Sequence, residues 1–235
     1  MKIKTTILTT LFAVLLVSAI LYANMPAKES NISVSIENPP FLSLEEIAEN
    51  SPIIVYGKYL ELISTYTATE NQKNSSPDNL YSFQVDKIIK GNNVSENITV
   101  GKVAVFDISE SVENIVGKNT PYEPYYLPYT YFIEPEYNKD YIVFLKYIGG
   151  RNIYTCSGEP WEIAFDENGI ATLKSNAFNP DKNFINQVST RIKPKNSSLI
   201  HKINISTNIT HYDDFISGKT YRDIVKIIEN TLTDK

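Results

Sequence analysis

The stretch from Tyr81 to Asn92, YSFQVDKIIKGN, alternates apolar and polar residues and then halts on Lys-Gly. Tyr81, Phe83 and Val85 fall on one side of such a segment, and Ser82, Gln84 and Asp86 on the other. A side-chain period of two is the pattern of a β-strand with one buried and one wet face. The chain is therefore drawn toward a sheet with a covered face. Lys90 lies just past the alternation, beside Gly91, and "GNN" is turn chemistry, because glycine tolerates a positive φ. A catalytic lysine needs desolvation to lower its pKa. A lysine at this strand exit is expected to be solvated and to mark only where the strand stops.

Further segments read the same way. "IIVYGKYLELISTY" places Ile53, Val55 and Tyr59 on alternate positions, and "NITVGKVAVF" follows the turn as the next strand. "KDYIVFLKY" is apolar on both faces at Ile142, Val143, Phe144 and Leu145, which predicts a central strand. "IGG" turns it toward "NIYTC". "WEIAFDENGIATLK" predicts a hairpin with Asn168-Gly169 as a two-residue turn. Ser43 and Glu46 have capping-box spacing at the start of a short helix that Pro52 stops. Thr220 and Asp223 repeat that spacing, and Tyr221, Ile224, Val225, Ile228 and Leu232 recur as one face of an amphipathic terminal helix docked on the body. From Ser175 to Thr210 the pattern weakens. Pro180, Pro194 and many Asn and Ser residues predict irregular structure there, with room for one short helix.

The N-terminus carries an address. Lys2 and Lys4 precede an uncharged apolar run from about Ile7 to Ala23, and the chain then turns polar at "NMPAKES". That is a basic region followed by an apolar core, with a cleavage position after "LYA". Ala23 suits the residue before the cut, whereas Leu21 is larger than the small residue usual there. Uncleaved, residues 7–23 are about long enough for a tilted membrane anchor. In either case the body is exported, and an anchored body stands on the outer face.

In an exported body the one cysteine, Cys156, cannot form an intramolecular disulfide, and paired-Cys zinc sites are excluded. A domain without staples must rest on its core, for which 42% hydrophobic residues suffice. The net charge is −5, and two units more negative without Lys2 and Lys4. No basic cluster offers the face that a nucleic acid requires. Asn-x-Ser/Thr triplets such as Asn97-Ile98-Thr99 and Asn208-Ile209-Thr210 are expected by chance in an Asn-rich chain.

Three pieces stand in a telling order: "SPIIVYGKYLEL", "YSFQVDKIIKG" with "NITV", and "KDYIVFLKY". Over Leu42 to Tyr154 they resemble the netrin-module, or tissue-inhibitor-of-metalloproteinase-like, OB barrel in a bacterial exported form. The resemblance implies a five-stranded barrel flanked by helix, with Lys90-Gly91 where the second strand ends. It implies no catalytic residues. Zinc-protease inhibition does not carry over, because those inhibitors use an N-terminal cysteine and disulfides that this chain lacks.

The most unusual segment is "TPYEPYYLPYTYFIEPEYNKDY", Thr120 to Tyr141. Tyr122, Tyr125, Tyr126, Tyr129 and Tyr131 are candidate ligand contacts, because tyrosine gives rigid amphipathic area at low entropic cost. The competing reading is that the segment lies across the barrel and closes one end. Cys156 could be a nucleophile only with His201 or His211 as its base, and a buried inert thiol is the alternative. "HYDD", His211 to Asp214, could lend a metal an imidazole and two carboxylates, or form the loop before the last helix. Glu134 and Glu136 could flank a glycosidic bond as acid and base, or be surface residues between prolines.

These readings divide the chain into residues 1–23, a signal peptide or anchor; 24–41, a polar tether; 42–175, an OB-like β domain; and 176–235, an irregular segment and a helix packed on that domain. The fold expected is mainly β with flanking helices: an OB-like five-stranded barrel, a β-hairpin and a C-terminal amphipathic helix. The function expected is an exported binding module whose partner is an extracellular protein or a glycan. Neither a cofactor nor a metal is expected, and the membrane is met only through residues 7–23. An enzyme acting on envelope polymers and a structural β-sandwich adhesion module are the alternatives.

Overall fold

In the computed structural model the described residues are 28–37, 42–65, 78–107, 126–128, 132–159, 161–175, 187–192, 199–208 and 214–233. The N-terminal apolar run, residues 7–23, lies outside them. Among the described residues no helix is long and apolar enough to cross a membrane.

The architecture is mainly β. Five strands pair in a closed ring: β2 (Ile53–Ser64), β3 (Asp78–Lys90), β4 (Asn97–Val103), β7 (Asp140–Ile148) and β8 (Ile153–Cys156). Their order around the ring is β2-β3-β4-β8-β7. Four of the five pairings are antiparallel, and the fifth joins β4 to β8 in parallel, with Val100 opposite Tyr154. Strand β7 is shared at one edge. Its second half pairs with β8, and its first half, Asp140 to Val143, pairs with β9 (Glu162–Phe165). The fork falls at Phe144, whose N–H donates to Trp161 O at 2.9 Å and whose carbonyl accepts from Ser157 N at 3.1 Å.

Burial follows the register. Val55, Tyr59, Tyr81, Phe83, Val100, Tyr141 and Val143 share the inward phase of the ring and are all fully buried. On the opposite face Ile54, Ile142, Phe144 and Ile163 are also fully buried. They share a core with Leu44, Ile47 and Ala48 of α1 (Leu44–Asn50) and Ile224 and Ile228 of α2 (Tyr221–Thr233). The two-sided burial of β7 is what its unbroken apolar run requires. Gly57 lets β2 and β3 approach where the ring bends: a Cβ there would stand 1.9 Å from Gln84 O.

Both helices begin as their sequences predict. Ser43 Oγ accepts from Glu46 N at 3.1 Å while Ser43 N donates to Glu46 Oε2 at 2.8 Å. Thr220 and Asp223 make the same reciprocal pair at 3.2 Å in each direction. Strand β10 (Ala171–Leu173) pairs with β9, and its outer edge is met by the segment before α2. Gly218 N donates to Ala171 O, Ala171 N to Lys219 O, and Leu173 N to Ser217 Oγ.

Four expectations change. The hairpin turn holds three residues, 167–169, closed by Asp166 N to Ile170 O at 3.0 Å, with Gly169 at φ +73°. Asp166 Oδ1 accepts from both Asn168 N and Ile170 N, which favours this turn over the two-residue form. The stretch expected as a polar tether contains β1 (Lys28–Glu37), and the stretch expected to be irregular contains β11 (Gln187–Ile192) and β12 (Leu199–Asn208). β1 runs parallel to β12, and β11 antiparallel to it. Ile32, Val34 and Ile36, and then Ile203 and Ile205, do alternate; the intervening Ser and Asn masked the period. Finally, the single strand expected over Asn97 to Phe106 is two: β4 ends at Val103, and β5 (Val105–Asp107) pairs outside the ring with β6 (Tyr126–Pro128).

Candidate functional site

Among the described residues, the charged side chains buried most deeply sit inside the ring. Lys102 on β4 is 3% exposed and Glu162 on β9 is 2% exposed. Lys102 follows Ile98 and Val100 in the inward phase, so its stem enters the interior with theirs. Glu162 faces inward because β9 leaves β7 just past the fork, setting Glu162 opposite Val143.

The two meet as an ion pair, with Lys102 Nζ donating to Glu162 Oε2 at 2.5 Å. A second proton goes to the carbonyl of Ile133 at 2.8 Å. Aromatic faces surround the ammonium: ring centres of Trp161, Phe132 and Tyr59 lie 5.3, 5.5 and 5.6 Å away. Tyr59 donates its hydroxyl to the other carboxylate oxygen, Glu162 Oε1. Burial, and then the adjacent carboxylate, hold that hydroxyl protonated far above the usual phenol range. Tyr59 is itself walled by Phe83, Tyr141 and Tyr81 in edge-to-face contact at 4.9, 5.2 and 5.7 Å. Every charge here has an opposite charge or a hydrogen bond. The cluster is a paired, hydrogen-bonded knot that ties β2, β4 and β9 to residue 133.

One end of the ring is crossed by residues 132–138. Pro135 is buried. Tyr81 OH donates to Glu134 Oε1 at 3.0 Å, Glu136 N donates to Tyr141 OH at 2.9 Å, and Asn138 N donates to Tyr59 O at 2.8 Å. This stretch is the C-terminal part of the tyrosine-rich segment, and it lies against the ring. Of the candidate contacts, Tyr122, Tyr125, Tyr129 and Tyr131 lie outside the described residues. Tyr126 is the first residue of β6, opposite Asp107.

The remaining candidates resolve differently. Glu134 and Glu136 do not face one another as an acid and a base. Glu134 is bonded to Tyr81, and Glu136 accepts from Lys174 at 2.6 Å and from Lys139 at 3.0 Å. Cys156 is raised to about 11, chiefly by burial, as an inert thiol is. In "HYDD" only Asp214 is described, and its Oδ1 accepts from Ile216 N and Ser217 N to shape the turn before α2. Among the described residues no group of three His, Cys, Asp or Glu side chains could hold a metal. Lys90 is more than a strand end: its Nζ donates to Ala48 O at 2.9 Å and Glu49 O at 2.8 Å, the open carbonyls of α1.

Lys102 and Glu162 escaped the sequence reading because each sits in an apolar run taken whole as a strand. The signal was present. A lysine occupies the inward phase of "NITVGKV", and a glutamate stands between Trp161 and Ile163. Two opposite charges at buried positions imply each other. No protein-family model matches the chain, and no curated protein matches it.

Proposed function

We propose that the five-stranded ring is an OB-like barrel and that the protein is an exported module that works by binding a protein or a glycan outside the cell. The strand order supports the first part. A meander of three antiparallel strands, closed by one parallel pairing between β4 and β8, is the connectivity expected of such a barrel. The observation that carries the second part is the pairing of the groups buried inside the ring. Lys102, Glu162 and Tyr59 are buried there and paired with one another, and the rings of Phe132 and Trp161 lie 5.5 and 5.3 Å from the ammonium, so the polar groups inside the ring are already engaged. Contact is then made at the outside, and Tyr122, Tyr125, Tyr126, Tyr129 and Tyr131 are the side chains proposed for it, on their density of rigid aromatic groups in the sequence. The basic residues and apolar run at the N-terminus support export, with the body either released or held at the outer face of the membrane.

The test has two arms. In intact cells producing the full chain, externally added protease should digest the body if it is displayed, or the body should be recovered from the medium if it is released. A body protected in both assays ends the export reading. The exported body is then immobilised and offered cell-wall glycan fragments and extended peptides. Tyr125→Ala or Tyr126→Ala should weaken the binding found by at least about tenfold. Binding that neither substitution alters places the contact elsewhere.

A further inference from the structure

We infer that Lys102 is a fastener: its buried ammonium positions the strap of residues 132–138 across the end of the ring, independently of what holds the ring closed. The chemistry of the site separates these two roles. An apolar side chain would fill the same volume, and replacing a buried ion pair by apolar groups of similar size is often neutral or stabilising. What an apolar side chain cannot do is donate. The Lys102 ammonium bonds Glu162 on β9 and the carbonyl of Ile133 on the strap, and it lies 5.5 Å from the ring centre of Phe132 at the start of the strap.

The rest of the strap is held in the same manner. Tyr81 OH bonds Glu134, Tyr141 OH receives the N–H of Glu136, the carbonyl of Tyr59 receives the N–H of Asn138, and Lys174 pairs with Glu136. These partners come from β2, β3, β4 and β7 and from the residue after β10. Pro135 is buried, but the contacts that fix the direction of the strap are polar and directional. Strap and ring therefore rest on different forces: hydrogen bonds to a few interior groups for the one, strand pairing and apolar burial for the other. The inference holds whatever the protein binds.

The deciding experiment is hydrogen exchange read by mass spectrometry on the full chain carrying Lys102→Met together with Glu162→Gln. The pair removes both charges and keeps the volumes, and the new side-chain amide still offers an oxygen to the Tyr59 hydroxyl. Peptides covering 132–138 should exchange about tenfold faster or more, while peptides from β2 and β3 keep their protection. Unchanged protection of 132–138 overturns the inference, and so does a loss of protection spread evenly over the ring. Should the double variant yield no folded protein, Lys102→Gln with Glu162→Gln decides, since the shorter amide keeps a polar contact inside the ring and falls short of the Ile133 carbonyl. Faster exchange confined to 132–138 then supports the inference, and unchanged exchange overturns it.

Discussion

Lys90 Nζ stands 2.9 Å from the carbonyl oxygen of Ala48 and closes a helix that ends forty residues before it in the chain. The last carbonyls of α1 have no partner within the helix, and the last turn holds no basic residue of its own. A cation from β3 takes that place and also meets the negative end of the helix dipole. Lys90→Met should cost about 1 kcal/mol in chemical denaturation, with the loss shrinking in high salt. A variant as stable as the parent would return Lys90 to the role of a strand end.

Gly57 should tolerate no side chain. The 1.9 Å approach of a built Cβ to Gln84 O is to backbone, which cannot swing aside as a side-chain tip would. Gly57→Ala is expected to cost about 3 kcal/mol or more and to loosen the β2–β3 pairing. Urea unfolding measures the cost. A change under about 1 kcal/mol, on the scale of a surface substitution, would show that the ring can shift to make room.

Ile228 is fully buried on the inner face of α2. Ile228→Asp puts a carboxylate into the shared core of sheet and helices, or expels the helix, at a cost of at least about 2 kcal/mol. Thermal melting beside Glu229→Asp, an exposed neighbour, separates the effect of burial from that of helix propensity. Equal melting temperatures for the two variants would mean that α2 is not part of the cooperative unit.

Two carboxylates tie local structure together in their charged form. Hydrogen bonds from Lys174 and Lys139 lower Glu136, and hydrogen bonds from Thr220 lower Asp223. Each therefore adds stability that is complete above its ordinary value and is lost as the pH falls through the lower folded value. Melting temperature should drop on acidification below about pH 4.5, the ordinary value for a glutamate. Glu136→Gln combined with Asp223→Asn should flatten that acid limb. A limb of unchanged steepness would assign acid sensitivity to other groups.

Cys156 should resist alkylation. Burial raises the thiol to about 11, so the thiolate that reacts is scarce at about pH 8. Iodoacetamide at that pH should label the half-buried native thiol far more slowly than the unfolded chain, as intact-mass measurement would reveal. Native labelling as fast as that of the unfolded chain would mean that the surroundings do not hold the thiol protonated.

The parts of this fold legible in sequence are those where one segment carries its own period. Tyr81, Phe83 and Val85 announced β3, Ile142 to Leu145 announced a strand covered on both sides, and the Thr220–Asp223 pair announced α2. The parts that were not legible depend on distant partners. Lys90 looked like punctuation because the carbonyls it caps lie in another element. Glu162 looked like one residue of a hairpin because the fork at Phe144, which turns it into the ring, is a property of three strands together. Strands β1 and β12 hold each other, and each alone, diluted by Ser and Asn, reads as loop. The candidate site suffered most, since an ion pair needs two segments sixty residues apart to be read as one object.

Strand β10 is the outermost strand of the seven-stranded sheet, and the turn residues from Ser217 to Tyr221 lie along it. Those residues come later in the chain than every strand of the ring. During synthesis the sheet can thus assemble while β10 still offers an unpaired row of amides and carbonyls. Such a row is a template for joining another chain, and in a crowded compartment it invites aggregation. The arrival of the last helix closes that interval. A protein shortened before Asp214 would keep every strand of the ring but lose both the cover on β10 and the core residues Ile216, Ile224, Val225 and Ile228, so a bare strand edge and an opened core would together favour self-association.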